Sequence, residues 1–190
     1  MANVNPNSIN SFISGFNGGL RPNRFLVVGT FPQLSGLSNN TDQFIYHVRG
    51  ANIPGSDLSE IPVAYRGREF KIPGNRTYST WQMTIIDDVQ YSLWSNFHKW
   101  SNAINNHVNN IPDSTAITNF NFTQIMQDWT VQQLDINGNC TRAVKLIGCW
   151  PSIISEISFL MDENESFCTF TVDMEYQYFI KTNCATTSTP

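Results

Sequence analysis

The sharpest alternation in the chain comes near its end. Cys168, Phe170, Val172, Met174, Tyr176 and Tyr178 interleave there with Thr169, Thr171, Asp173, Glu175 and Gln177. A period of two marks a strand with one face in a core and the other in water, so this closing strand presents a polar, acidic face. An apolar, β-branched run at 24–31 (RFLVVGTF), stopped by Pro32, predicts an earlier strand. Others are predicted at 43–48, at 80–87 with Trp81, Met83 and Ile85 on one face, and at 153–161. Strands at 127–134 and 141–148 flank Asn137-Gly138, a hairpin-turn signal.

Helical spacing is strong only once. Leu93, Phe97, Trp100 and Ile104, flanked by Trp94 and Ala103, predict an amphipathic helix over 88–106. Asp87 or Asp88 can cap it, and it ends before Pro112. Between 49 and 75 the chain carries Gly50, Pro54, Gly55, Pro62, Gly67, Pro73 and Gly74, which forbids a long regular element and predicts extended, hairpin-like excursions. Residues 33–42 and 111–122 read as loops. The first 20 residues read as an arm with a short helical turn around Ile9, Phe12, Ile13 and Phe16, and 182–190 as a flexible tail. The whole is a mainly β fold in one domain, 21–181, with one helix lying on a sheet. A helix covers one side only, so the sheet's edges must be charged, covered or paired with another chain.

Composition narrows the chemistry. Eleven basic against fifteen acidic side chains give a net charge of -4, which argues against non-specific nucleic-acid binding as the main activity. No basic-then-apolar leader opens the chain, and no apolar run reaches the roughly 18 residues of a membrane span, so a reducing cytoplasm and no membrane insertion are expected. On that ground Cys140, Cys149, Cys168 and Cys184 read as free thiols; in an oxidising compartment they could form two bridges in any of three pairings.

No phosphate-binding glycine loop, HExxH or GxSxG occurs. His98 and His107 are nine apart, off the i,i+4 spacing of a shared helical face, and read as packed or exposed single histidines. The adjacent Asp87-Asp88 and Asp162-Glu163 do not converge across a cleft as an acid/base pair must. Neither an enzyme nor a cofactor or metal is therefore expected. Charge is nonetheless uneven. Arg66, Arg68, Lys71 and Arg76 face Glu69 alone within 66–76, whereas 162–175 holds five acids and no base. Ordinary solvated loops account for this. So does a self-complementary surface, in which a basic loop of one subunit meets an acidic face of another and generates rings or filaments.

A family resemblance covers about two thirds of the chain, in order. IPVAYRGREFKIPGNRTYSTWQMTIIDD is a basic excursion followed by a G-x-R-T-aromatic-x-x-W segment, and a helix with the Phe97/Trp100 pair comes next. VKLIGCWPSIISEISF contains a strand ending in G-x-W-P, and FTVDMEYQYF closes the set, with RPNRFLV at the front. The ordered set resembles the tail tube proteins of contractile-tailed bacteriophages, which are related to type VI secretion tube proteins. Asn75, where the family often has Asp, and Cys149 depart from the pattern; 33–42, 107–124 and the C-terminal tail look like additions.

The resemblance implies an antiparallel β-sandwich or partial barrel with one flanking helix. It further implies rings of six that complete a large inner barrel and stack head-to-tail inside a sheath. It identifies a structural virion protein, assembled in the host bacterial cytoplasm. Its implied partners are its own copies, the sheath, tape-measure, baseplate and tail-terminator proteins, and DNA in passage without specific binding. Residues 49–80 become an inter-ring excursion with Arg66, Arg68, Lys71 and Arg76 at the contact. Thr169, Thr171, Asp173, Glu175 and Gln177 become candidates to line the channel. Trp81, Phe97, Trp100 and Trp150 are assigned to the core. The alternatives are the tube of a phage-derived injection or secretion system and, in another class, a monomeric carbohydrate-binding β-sandwich.

Overall fold

The computed structural model describes residues 9–16, 19, 21–34, 37, 41–113, 122–162 and 166–184. Along the chain lie α1 (Ile9–Gly15), β1 (Phe25–Gly29), α2 (Thr41–His47), β2 (Val48–Ala51), β3 (Ser56–Tyr65), β4 (Arg68–Tyr78), β5 (Trp81–Ile86) and α3 (Ser92–Ile104). They are followed by α4 (Phe122–Ile125), β6 (Gln127–Leu134), β7 (Cys140–Ile154), β8 (Thr169–Glu175) and β9 (Tyr178–Thr182). All pairings are antiparallel. The main sheet runs β1-β6-β7-β8-β5-β2 with β9 also on β7, and β3-β4 form a separate two-stranded sheet.

The long strand β7 joins the two halves. Its first part pairs with β6 and β9, and its second with β8. It turns between them at Gly148, whose φ of 68° a side chain would resist. A Cβ there would also stand 3.1 Å from Gln177 Cγ. The closing strand breaks at this bend. The predicted alternation holds through Tyr176, and the Gln177 N–H then donates to the Ile147 carbonyl and the chain restarts as β9.

Between the halves lies an aromatic core. Phe44, Trp81, Phe97, Trp100 and Trp129 have no exposed surface, and Phe31 and Phe170 almost none. α3 packs on β7 through the Leu93, Phe97, Trp100 and Ala103 stripe. Two indoles are anchored: Trp81 Nε1 donates to the Asn52 carbonyl at 2.7 Å, and Trp100 Nε1 to the Ile125 carbonyl at 2.8 Å. Trp150, also assigned to the core from sequence, is partly buried against it.

The helix start is held by Asp88 from outside the helix. Tyr91 is the N-cap residue, in a left-handed conformation, and makes no side-chain cap. Asp88 instead accepts from the Ser92 N–H at 2.6 Å and from Ser92 Oγ at 2.7 Å. Burial alone would raise the Asp88 pKa, but these bonds outweigh it and hold the carboxyl below its ordinary 3.8. The folded value lies below the unfolded one, so the stabilisation is complete above pH 3.8 and is lost as pH falls through the folded value. Asp88→Ala is expected to cost about 1 kcal/mol at neutral pH. In urea titrations the gap from the parent should close in acid, and a gap independent of pH would contradict the ionised cap.

The structure corrects several expectations. Residues 43–48 are not a strand: α2 occupies Thr41–His47, because a helical turn puts Phe44 edge-on to Trp129 at 4.9 Å while Tyr46 points to water. The strand expected at 153–161 is the end of β7, which stops at Ile154. The helix is shorter than 88–106. Of the loops and termini, 1–8, 17–18, 20, 35–36, 38–40, 114–121 and 185–190 lie outside the described residues.

The cysteine reading also changes. Cys140 and Cys184 form a disulfide with Cα atoms 5.6 Å apart, leaving Cys149 and Cys168 free. The β7-β9 ladder, which pairs Ala143 with Thr182, brings the two together across 44 residues. Closing a loop of that length is worth up to about 4 kcal/mol by loop entropy. Cys184→Ser or added reductant should lower the urea midpoint accordingly, and an unchanged midpoint would count against the bond's contribution.

Candidate assembly surfaces

The excursion read from the sequence is a single hairpin, but its Gly/Pro punctuation does not forbid long elements: β3 runs 10 residues and β4 11, with Pro62, Pro73 and Gly74 inside them. β3 and β4 pair from Ser56↔Tyr78 to Tyr65↔Arg68, with one register shift between Leu58 and Glu60. The turn is Arg66-Gly67, with φ of 46° and 81°. Positive φ at both central residues is the tight-hairpin geometry that matches strand twist, and Gly67 suits it. Opposed residues share a face. Ile61, Val63 and Tyr65 therefore lie on the same side as Ile72, Phe70 and Arg68. The apolar members of this face are between 42% and 67% exposed. The other side carries Pro62, Ala64, Glu69 and Lys71.

The four basic residues are spread along this element. Arg66 and Arg68 sit at the tip, and the Arg66 guanidinium lies 5.4 Å from the Tyr65 ring centre. Lys71 is paired with Glu60 at 2.7 Å, both exposed. Arg76, near the base, donates to Ser56 Oγ at 2.9 Å. Only the tip arginines form a pair, therefore. The sequence reading overlooked the apolar face, although its signal is legible: alternating apolar residues on both sides of Arg-Gly.

The second candidate surface is the outer face of β5, β7 and β8. Phe170, Val172 and Met174 are buried, whereas Thr169, Thr171, Asp173 and Glu175 lie on the opposite face. There Gln82 Nε2 donates to Asp173 Oδ1, and Thr80 Oγ1 to Glu175 Oε1, both at 2.8 Å. Gln82 and Thr84 of β5 lie directly opposite Asp173 and Thr171. Four of the five lining candidates thus form one row. Gln177 does not join it, because the break after Tyr176 sets it against Gly148.

Comparison with known proteins places this geometry. Residues 14–182 match the profile of the phage tail tube protein family. The chain is 27% identical to the tail tube protein of Serratia phage KSP90, covering 82% of this chain and 85% of that one. It is 23% identical to tail tube protein gp19 of Enterobacteria phage T4, covering 84% and 90%. Similar folds occur in the anti-feeding prophage baseplate (TM-score 0.62, 10% identity, 88% of this chain and 97% of that one). They also occur in the sheath-tube complex of an extracellular contractile injection system (TM-score 0.51, 16% identity, 93% and 100%). With the family profile matched over nearly the whole length, the chain belongs to the phage tail tube protein family.

Proposed function

We propose that six copies of this chain close into a ring, that rings stack head-to-tail into the tube of a contractile phage tail, and that DNA and ejected proteins pass through its bore. The observation that carries this reading is the β3-β4 hairpin. An isolated two-stranded hairpin is marginal in water at best, and this one pairs with no third strand among the described residues while exposing its apolar face. A neighbouring copy is the partner that a stacked tube supplies, so residues 49–80 serve as the inter-ring element with Arg66, Arg68, Lys71 and Arg76 at or near the contact. Six is supported by the six-fold symmetry named for the similar baseplate structure. Sheath and terminator are partners by analogy with the injection-system assemblies. Baseplate and tape-measure proteins complete the set, with assembly in the host cytoplasm.

The Thr169, Thr171, Asp173 and Glu175 row faces the bore in this reading. Basic walls would release counterions from DNA and hold it, whereas an acidic and hydroxyl-lined wall gains nothing by binding phosphate. Asp173→Lys with Glu175→Lys leaves the core face of β8 untouched. Tails carrying both substitutions are expected to assemble, but to eject DNA more slowly than the parent, with the deficit shrinking as salt rises. Unchanged ejection at low salt would place this row outside the bore. The relatives being phage tail proteins favours a phage tail over an injection particle, and the family match displaces the carbohydrate-binding alternative.

A further inference from the structure

Two exposed apolar surfaces lie at opposite ends of the β5-β8 pair. The β3-β4 hairpin leaves from the end where Trp81 opposes Met174. The connection from β7 to β8 lies at the other end, where Ile86 opposes Thr169. At about 3.3 Å per residue, the pair separates these ends by roughly 17 Å. In this connection Phe159, Leu160, Met161 and Phe167 are between 68% and 97% exposed. Its charged side chains among the described residues are Glu156 and Asp162, both acidic. A hollow of about 330 Å³ opens there, its lining including Phe159, Leu160 and Phe167 together with Arg49 of β2.

An exposed apolar cluster rimmed by charge marks an interaction site. Its complement is on the same chain. The hairpin offers aromatic rings, Tyr65 and Phe70, beside the tip cations Arg66 and Arg68, against the acidic Glu156 and Asp162 of the connection. The two surfaces sit at opposite ends of the β5-β8 pair, as the two sides of a head-to-tail contact do. In the stacked-tube reading the contact between them is heterologous and repeats from ring to ring. We infer that the β7-β8 connection, residues 155–162 and 166–168, is the socket that receives the β3-β4 hairpin of the next copy. The inference rests on the stacked-tube reading and adds to it the receiving surface.

Photo-crosslinking in assembled tails tests it, with benzoylphenylalanine placed at position 70 in one preparation and at 167 in another. The probe at 70 should join peptides from 155–168 of another copy, and the probe at 167 should join peptides from 56–78. A probe at 70 that reaches another copy elsewhere overturns the socket and leaves stacking intact. A probe at 70 that reaches no other copy overturns both. A probe at 167 that reaches sheath protein, or a different part of the chain, also overturns the socket. Charge exchange supplies a second readout if a probe impairs folding. Arg68→Glu and Asp162→Lys should each lower tube yield at least about tenfold, and the two together should restore it, as coupled opposite charges do. Unchanged single variants, or a double variant no better than either, would overturn the pairing.

Discussion

Trp129→Ala is expected to cost about 3–5 kcal/mol of folding stability, in the range of large-to-small changes in a packed core. Trp129 is fully buried at the centre of the aromatic cluster, with ring centres of Phe31, Phe44, Trp81 and Phe97 within 6.2 Å. Truncation therefore opens a cavity between both halves of the sheet and α2. The site is also shaped from the opposite strand. Gly29 pairs with Trp129 across β1 and β6, and a Cβ built on Gly29 would lie 2.2 Å from the indole. The indole occupies the space a Cβ would need, so Gly29→Ala must displace either the ring or the strand. It is expected to cost at least about 1–3 kcal/mol, as overpacking does. Urea unfolding of both variants checks this, and midpoints within error of the parent would contradict the central place given to Trp129.

Arg66→Glu with Arg68→Glu is expected to abolish tube elongation while leaving the subunit folded. Both residues are at the hairpin tip, away from the core, so the urea midpoint should move by less than the roughly 0.5 kcal/mol usual for surface changes. At the contact the same substitutions turn two attractive charges into repulsive ones, and like-charge juxtaposition across an interface costs several kcal/mol. Phe70→Asp should act in the same way through the apolar face. Electron microscopy of mutant lysates gives the readout. Tubes of normal length from the double arginine variant would remove these residues from the contact, and a lowered midpoint would move the effect from assembly to folding.

Strands with one wet face were legible because period two survives in the residues themselves. The strand at 127–134 and the buried set Phe170, Val172 and Met174 follow directly from it. What escaped was decided by distant parts of the chain. α2 is helical because Phe44 fills a space between Phe31 and Trp129, which no local pattern encodes. Gly29 and Trp129 are separated by 100 positions and meet only through strand pairing. The Cys140–Cys184 bond likewise depends on the β7-β9 ladder. At the candidate contact the charge was visible and drew attention to the arginines. The apolar alternation beside it was equally visible, but its meaning depends on the hairpin standing away from the sheet, which pairing alone reveals.

The most direct test is a cryo-electron microscopy map of the tail assembled from this chain. The account predicts six copies per ring, with the β3-β4 hairpin crossing the boundary between rings and the Asp173 face of β8 turned to the bore. A particle whose copies do not close into rings, or whose hairpin lies within its own ring and touches no other layer, would contradict it.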